Sequence, residues 1–300
     1  MISVYHTPVL MDTAIYYLIN PLIKEEIIVD GTLGGGGYTE SILNIISDKG
    51  KVISIDKDLN ALEYSKARFK NTNKNLYILN DNFANVRGIA TELNLNSITG
   101  LVLDLGLSTY QLNSEDGFSF LKDTPLDMRA DKESEKTASE IVNEYSEREL
   151  TNIFETYGEI KNAKRLSKAI VEGRRKNRIT ATTEFVKIVQ REYEMKKDIP
   201  VKFFSKIFQA LRIEVNNELS DLSKVLEDAL DMMQDGGRIV VVSYHSLEDR
   251  IVKNFFRNQK RDDREIKILT KKVIKPEYNE VKNNSRARSA KLRAAEVVLK

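Results

Sequence analysis

Three aspartates, each closing an apolar run, are the residues best placed to do chemistry. Asp30 ends "IIVD", Asp56 ends "VISID" and Asp104 ends "GLVLD", and four consecutive glycines from Gly34 follow the first acid. A glycine cluster after a strand brings bare backbone close to a ligand at a helix start, or simply supplies positive φ angles to a tight loop. No Lys-Ser or Lys-Thr pair follows the glycines, so the terminal phosphates of a nucleotide would meet nothing there. A nicotinamide dinucleotide is a stronger rival, because Asp56 lies where such folds keep the acid that binds ribose hydroxyls. Asp30 opposes it, since a carboxylate directly before the glycines would face a pyrophosphate. S-adenosylmethionine has a nucleoside without a phosphate and carries a sulfonium and an ammonium, which acids attract. On that reading Asp56 takes the ribose hydroxyls, the glycines admit the methionine portion and Asp104 lies near the reacting end. The plainer reading of Asp104 is a strand-end acid that caps a turn.

These residues require a scaffold that brings several strand ends together. Apolar runs alternate with helix-like stretches such as "DLNALEYSKARF", and "LYILND" adds a further strand ending near Asp81. The alternation predicts an α/β fold, a doubly wound and mostly parallel sheet whose ligand sits at the carboxyl ends of its strands. From about Thr137 to Lys197 only helical periodicity appears, with capping boxes at "TASE" and "SERE" and a stop at Gly158. The amphipathic stretch from Phe203 to Met233 then leads into Gly236, Gly237 and the strand "RIVVVSY"; "SLEDRIVKNFF" follows as a helix, and "IKILTKKVIK" and "AAEVVLK" as a terminal strand pair. The expected organisation is a discontinuous domain over residues 1–110 and 205–300, interrupted by a helical insertion over 111–204.

Composition narrows the chemistry. In a chain of 300 residues with 41% hydrophobic content there is material for a sizeable core. Cysteine is absent, so disulfides, thiolate metal sites and a Cys nucleophile are excluded; only His6 and His245 are histidines, and no metal is expected. No apolar run approaches the roughly 20 residues of a membrane span, and a cytoplasmic protein is expected. The net charge of +2 conceals a segregation. Between Lys161 and Arg178, Glu172 is the single acid among Lys161, Lys164, Arg165, Lys168, Arg174, Arg175, Lys176 and Arg178, and "KNNSRARSAKLR" from Lys282 has no acid at all. Basic segments of this kind bind RNA phosphates or form solvated helix faces.

Nine separated strings in order, "HTPVL", "DGTLGGGG", "DLGLS", "GFSF", "PLDMR", "FQALRI", "NNEL", "HSLEDR" and "SRARSAKLR", give the chain a family resemblance over nearly its whole length. It resembles the bacterial RsmH (MraW) methyltransferases, which modify N4 of a cytidine in the decoding region of 16S ribosomal RNA. The resemblance implies a Rossmann-like class I methyltransferase fold with an inserted helical domain, S-adenosyl-L-methionine as cofactor, and 16S rRNA or the small ribosomal subunit as partner. It also implies that Gly36, Gly37, Tyr38, Asp56, Phe83, Asp104 and Gln111 contact the cofactor. Tyr38 stands where the family usually has His, Thr109 and Tyr110 where it has Ser-Pro, and "KFFS" from Lys202 where it has His-Pro-Ala-Thr.

The missing cysteine bears on the reaction, because methylating C5 of cytosine generally needs a thiolate that adds to the ring first. Transfer to nitrogen or oxygen needs none. Asp104 is the catalytic candidate, either as acceptor of the amino hydrogens or as a stabiliser of charge as the amine attacks. His245 reads either as a proton-transfer group or as a helix cap, and Asp127 and Arg129 either orient RNA or pair with each other. A diverged paralogue acting on another RNA, a non-catalytic RNA-binding assembly factor and a nicotinamide oxidoreductase stay open, as does a homodimer.

Overall fold

The computed structural model describes residues 8–72, 74–106, 116–195, 200–259 and 261–300. Five parallel strands, β1 (Ile27–Asp30), β2 (Lys51–Asp56), β3 (Asn75–Asn80), β4 (Ile98–Asp104) and β5 (Met233–Ser243), are joined by two later ones, β6 (Arg264–Ile268) and β7 (Lys291–Leu299). The seven-stranded order is β3-β2-β1-β4-β5-β7-β6, with β7 antiparallel to both β5 and β6. After β3 the chain crosses back over β1 and lays down β4 on its other side. The connection therefore reverses between β1 and β4, which is where an open α/β sheet opens a crevice beyond its strand ends.

The helices in chain order are α1 (Met11–Leu18), α2 (Gly37–Leu43), α3 (Leu59–Arg68), α4 (Val86–Glu92), α5 (Ala138–Glu144), α6 (Glu147–Thr156), α7 (Ala163–Arg174), α8 (Thr182–Glu192), α9 (Val201–Asn216), α10 (Glu218–Met232), α11 (Ser246–Asn258) and α12 (Tyr278–Asn283). Successive strand residues point to opposite faces, so both layers of the sheet can be read along one strand. Val29, Ile53, Leu101, Leu103, Ile239 and Val241 pack with α4, α10 and α11 on one face. Ile28, Val52, Val102, Val240 and Val242 pack with α1 and α2 on the other. Because both faces are covered, the strands read as unbroken apolar runs rather than as alternating ones. Leu101 and Leu103 are 0% exposed, and truncating either to Ala removes about 2–5 kcal/mol.

Two compact units divide the chain, residues 1–108 with 219–300, and 109–218. The first holds the sheet. Its expected return point at residue 205 needs correction: it falls inside α9, which packs on α5 and α6, so the crossing lies at 218/219. The second unit is helical. Thr137 and Glu140 close a capping box on α5, and Ser146 and Glu149 close another on α6. Its core holds Phe154, Phe185 and Phe204 at 2% exposure or less, with the Phe120 ring 5.5 Å from that of Phe208. The left-handed residue after α6 is Glu159 (φ 48°), and Gly158 is needed for space instead, since a Cβ there would lie 2.8 Å from the Phe154 carbonyl oxygen. Among the described residues no helix is long and apolar enough to cross a membrane.

Candidate active site at the β1/β4 switch point

Asp30, Asp56 and Asp104 all lie at carboxyl ends of strands, on β1, β2 and β4. Backbone bonds lace these ends together. Gly31 N donates to Val102 O at 3.0 Å, Leu33 N to Ile55 O at 3.0 Å, and Leu105 N to Val242 O at 3.0 Å. The glycine loop leaves β1 between them and enters α2.

Asp56 organises the loop from the β2 side. One carboxylate oxygen accepts from Gly34 N at 2.8 Å and the other from Asp58 N at 2.9 Å. Burial pushes its pKa up to about 6, against the lowering effect of those two backbone donors. Each oxygen keeps a lone pair, and the residue stays partly exposed, which suits it to accept two neighbouring hydroxyls. On the far side α3 holds the loop carbonyls: Ser65 Oγ donates to Gly34 O at 3.0 Å and Arg68 Nη1 donates to Gly35 O at 2.5 Å.

The glycines answer first to the fold. Gly34 and Gly36 have φ of 48° and 78°, where only glycine sits without strain. A Cβ on Gly36 would lie 2.6 Å from the Phe69 ring, and one on Gly37 only 2.2 Å from Pro8 Cγ. The positive-φ reading of the cluster is therefore what the loop displays. The resulting bend carries no side chain between Leu33 and Tyr38, so a ligand above it would meet backbone alone.

Asp30 is 0% exposed. It accepts from Thr32 N at 3.2 Å and from Thr39 Oγ1 at 2.7 Å, and Thr39 Oγ1 also contacts Ser54 Oγ at 2.7 Å. Thr32 in turn accepts from Asp104 N at 2.7 Å through its hydroxyl. Burial raises the Asp30 carboxyl to about 6, with the negative charges of Asp56 and Asp104 adding to the rise and the Thr39 and Thr32 bonds opposing it. Asp104 is 8% exposed. Beside it lies Tyr244, just past β5, whose phenol is pushed upward by burial and then by the Asp104 charge. Tyr244 accounts for Gly106: a Cβ there would lie 2.7 Å from the Tyr244 ring.

The remaining sequence-derived residues fall as follows. Phe83 opens a short 3-10 turn after β3 and packs against the core edge, near Gly31. Tyr38 is 3% exposed, and its hydroxyl donates to Val9 O at 2.6 Å; burial, then Asp104 and Asp30, hold its pKa well above the ordinary value. Gln111 and His6 lie outside the described residues. His245 is the N-cap of α11, where its Nδ1 accepts from Glu248 N at 3.4 Å while Glu248 accepts from His245 N at 3.2 Å. Of its two readings the cap is the one observed. Asp127 and Arg129 pair with each other, at 2.8 Å.

Of the basic segments, Lys161, Lys164, Arg165 and Lys168 are all exposed along the start of α7. Arg165 is paired with Glu192 at 2.7 Å and lies over the Tyr193 ring at 5.0 Å, and Lys168 stands 3.8 Å from Glu172. Arg174 points inward and donates to the Val142 and Tyr145 carbonyls at 2.9 and 2.6 Å. In the terminal segment, Lys291 and Arg293 pair with Asp249 at 3.3 and 2.7 Å, which ties "SRARSAKLR" to "HSLEDR".

Sequence reasoning counted Asp30 among the strand-end acids and as an argument against a pyrophosphate, and passed over Thr32, Thr39, Ser54 and Tyr244. The available signal was Asp-x-Thr, an acid whose side chain bonds the backbone two residues on. Nothing in the sequence pairs Thr39 with Ser54, since that contact exists only once α2 packs on β2.

Comparison with known proteins finds similarity over nearly the whole chain. The model of the MraW methylase family matches residues 3–298. A protein named ribosomal RNA small subunit methyltransferase H from Halothermothrix orenii is 43% identical, over 98% of this chain and 99% of the relative. One of the same name from Persephonella marina is 42% identical, over 97% and 99%. Among solved structures, an rRNA methylase from Streptococcus thermophilus superposes with a TM-score of 0.44 at 12% identity, covering 96% of this chain and 93% of that one.

Proposed function

The chain belongs to the MraW methylase family, and from that premise we propose that it uses S-adenosylmethionine to methylate N4 of a cytidine in 16S rRNA, in the decoding region of the small subunit and in the cytoplasm. The single observation that carries the chemistry is the set of strand-end carboxylates, Asp30, Asp56 and Asp104, around a side-chain-free bend at the β1/β4 reversal. Like charges gathered in a buried place repel one another, and the charges of Asp56 and Asp104 add to the raised pKa of Asp30. A cationic nucleoside relieves that repulsion, whereas a pyrophosphate would aggravate it, so the donor set fits the proposed cofactor.

When bound, the cofactor supplies an electrophilic methyl group. The residues of the chain do the positioning. Asp56 takes the ribose hydroxyls on its remaining lone pairs, and Phe83 borders the adenine. Gly36, Gly37 and the backbone of Tyr38 line the methionine portion, since the Tyr38 hydroxyl is committed to Val9. Gln111 is carried over from the family pattern. Asp104 accepts the amino hydrogens of the target cytosine, turns the N4 lone pair toward the methyl carbon, and takes the proton released as the N–C bond forms. Cytosine N4 is a weak nucleophile, and aligned positioning contributes roughly 7–11 kcal/mol to such a step. Without cysteine the covalent route to carbon methylation is closed. Phosphate contacts from the basic segments supply salt-sensitive affinity for the RNA, and an unstacked target base enters the pocket.

Deleting the gene and digesting ribosomal RNA for mass spectrometry tests this proposal. Loss of N4-methylcytidine, or of its 2′-O-methylated form, is expected, with recovery on complementation. An unchanged nucleoside profile would favour a non-catalytic assembly factor, and loss of a different methylated nucleoside a paralogue with another target.

A further inference from the structure

We infer that Asp30 makes the site read the charge of its ligand, favouring S-adenosylmethionine over its product S-adenosylhomocysteine and exchanging a proton as one replaces the other. The inference rests on the proposed cofactor and goes beyond it. The two ligands share a nucleoside and an amino-acid tail. They differ in one methyl group and one positive charge: as the S–CH3 bond breaks, its electron pair stays on sulfur, which becomes a neutral thioether. A site that merely fits the nucleoside has little means of telling them apart.

Asp30 supplies a means. Its carboxyl is 0% exposed, as are Thr39 and Ser54, and the chain Asp30–Thr39–Ser54 runs through two contacts of 2.7 Å from the end of β1 to α2 and β2, the elements on either side of the loop. Thr32 links the same carboxyl to the Asp104 backbone. The charged groups that bear on it are Asp56 from β2 and Asp104 from β4, both of like sign, with the neutral Tyr38 phenol on α2. An acid in such a setting gives up its proton more readily with a cation above it. Burial holds its pKa near 6, so the proton is exchanged within a pH range open to experiment. The hydroxyl chain provides the local adjustment, because Thr39 can donate to an ionised Asp30 or accept from a protonated one. Asp30 acts through this network and not by touching the reacting atoms, so it is a positioning residue that also sets ligand preference.

The test is calorimetric titration of the full chain with each ligand from about pH 5 to about pH 8, in two buffers of different ionisation enthalpy. For one coupled proton, the preference for S-adenosylmethionine should fall roughly tenfold from about pH 7 to about pH 5. More proton release should accompany its binding than that of S-adenosylhomocysteine. Asp30→Asn should lose more affinity for S-adenosylmethionine than for S-adenosylhomocysteine and should flatten the pH dependence of the ratio; a cooperative thermal unfolding transition shows that it folds. Thr39→Val keeps the carboxylate but removes a donor, and should move the transition to higher pH. A wild-type ratio independent of pH, with both ligands bound, would overturn this inference alone. Failure of both ligands to bind at any pH would overturn the proposed cofactor together with it.

Discussion

Asp30→Asn should stabilise the ligand-free protein at neutral pH, although it removes a buried, doubly hydrogen-bonded side chain. The carboxyl is moved from 3.8 to about 6 by burial, so keeping it ionised inside the fold costs about 3 kcal/mol at 1.36 kcal/mol per pH unit. The sign follows from linkage. A raised pKa means that the folded state holds the proton longer than the unfolded one, so this group's stability contribution is full below about pH 4 and is lost as pH rises through about 6. The substitution is nearly isosteric, and the network can invert: the new amide donates to Thr39 Oγ1, which donates to Ser54 Oγ, while the amide oxygen accepts from Thr32 N. Other carboxylates, such as Asp249 and Glu296, are lowered by their Arg and Lys partners and slope the opposite way. The informative quantity is therefore the difference between variant and wild type. Urea unfolding at several pH values should show this difference shifting in favour of Asp30→Asn by up to about 3 kcal/mol between about pH 4 and about pH 7. A difference that stays constant with pH would mean that the carboxyl is not held as the structure describes.

Asp56→Asn should weaken adenosine-containing ligands by roughly 10- to 100-fold, the loss of one or two charge-assisted hydrogen bonds; titration with S-adenosylhomocysteine checks it, and unchanged affinity would remove Asp56 from the ribose. Asp104→Ala should abolish turnover even with saturating cofactor, as followed by methyl incorporation into small-subunit RNA; full turnover would exclude its role. Gly36→Ala must place a Cβ 2.6 Å from Phe69 at φ 78° and should destabilise the fold by about 1–3 kcal/mol, measured as a thermal shift. Arg286→Ala with Arg288→Ala should weaken RNA binding and lower the slope of log K against log salt by roughly 1–2; an identical slope would place these residues away from phosphate.

What the sequence discloses here is local chemistry, and what it hides is partnership across distance. Asp30, Asp56, Asp104 and the end of β3 near Asp81 stand out because each strand buried on two faces is a short apolar run with a sharp polar end. The capping boxes at Thr137 and Ser146 are legible because box partners are three residues apart. The end of the helical unit is not, since α9 carries the same amphipathic periodicity whichever unit it packs on, and only its contacts with α5 and α6 assign it. Lys161, Lys164, Arg165 and Lys168 share a face by spacing, yet Arg165 is engaged by Glu192, 27 residues away. The four glycines show the same limit. Their clustering marks a bend, but Phe69 and Pro8, which forbid a Cβ at Gly36 and Gly37, become visible only in three dimensions. His245 precedes a Ser-x-x-Asp signal that points one residue too far along, and the cap falls on the histidine with Glu248 as its partner.

The central claim is that carboxylates at neighbouring strand ends hold a cation-bearing nucleoside over a bare backbone bend. A crystal structure of the protein soaked with S-adenosylmethionine tests it most directly. The account predicts ribose hydroxyls on Asp56, the adenine beside Phe83 and the sulfonium over the ends of β1 and β4 near Asp104. Soaked crystals with that crevice empty, or competition crystals in which a dinucleotide pyrophosphate fills it instead, would contradict the account.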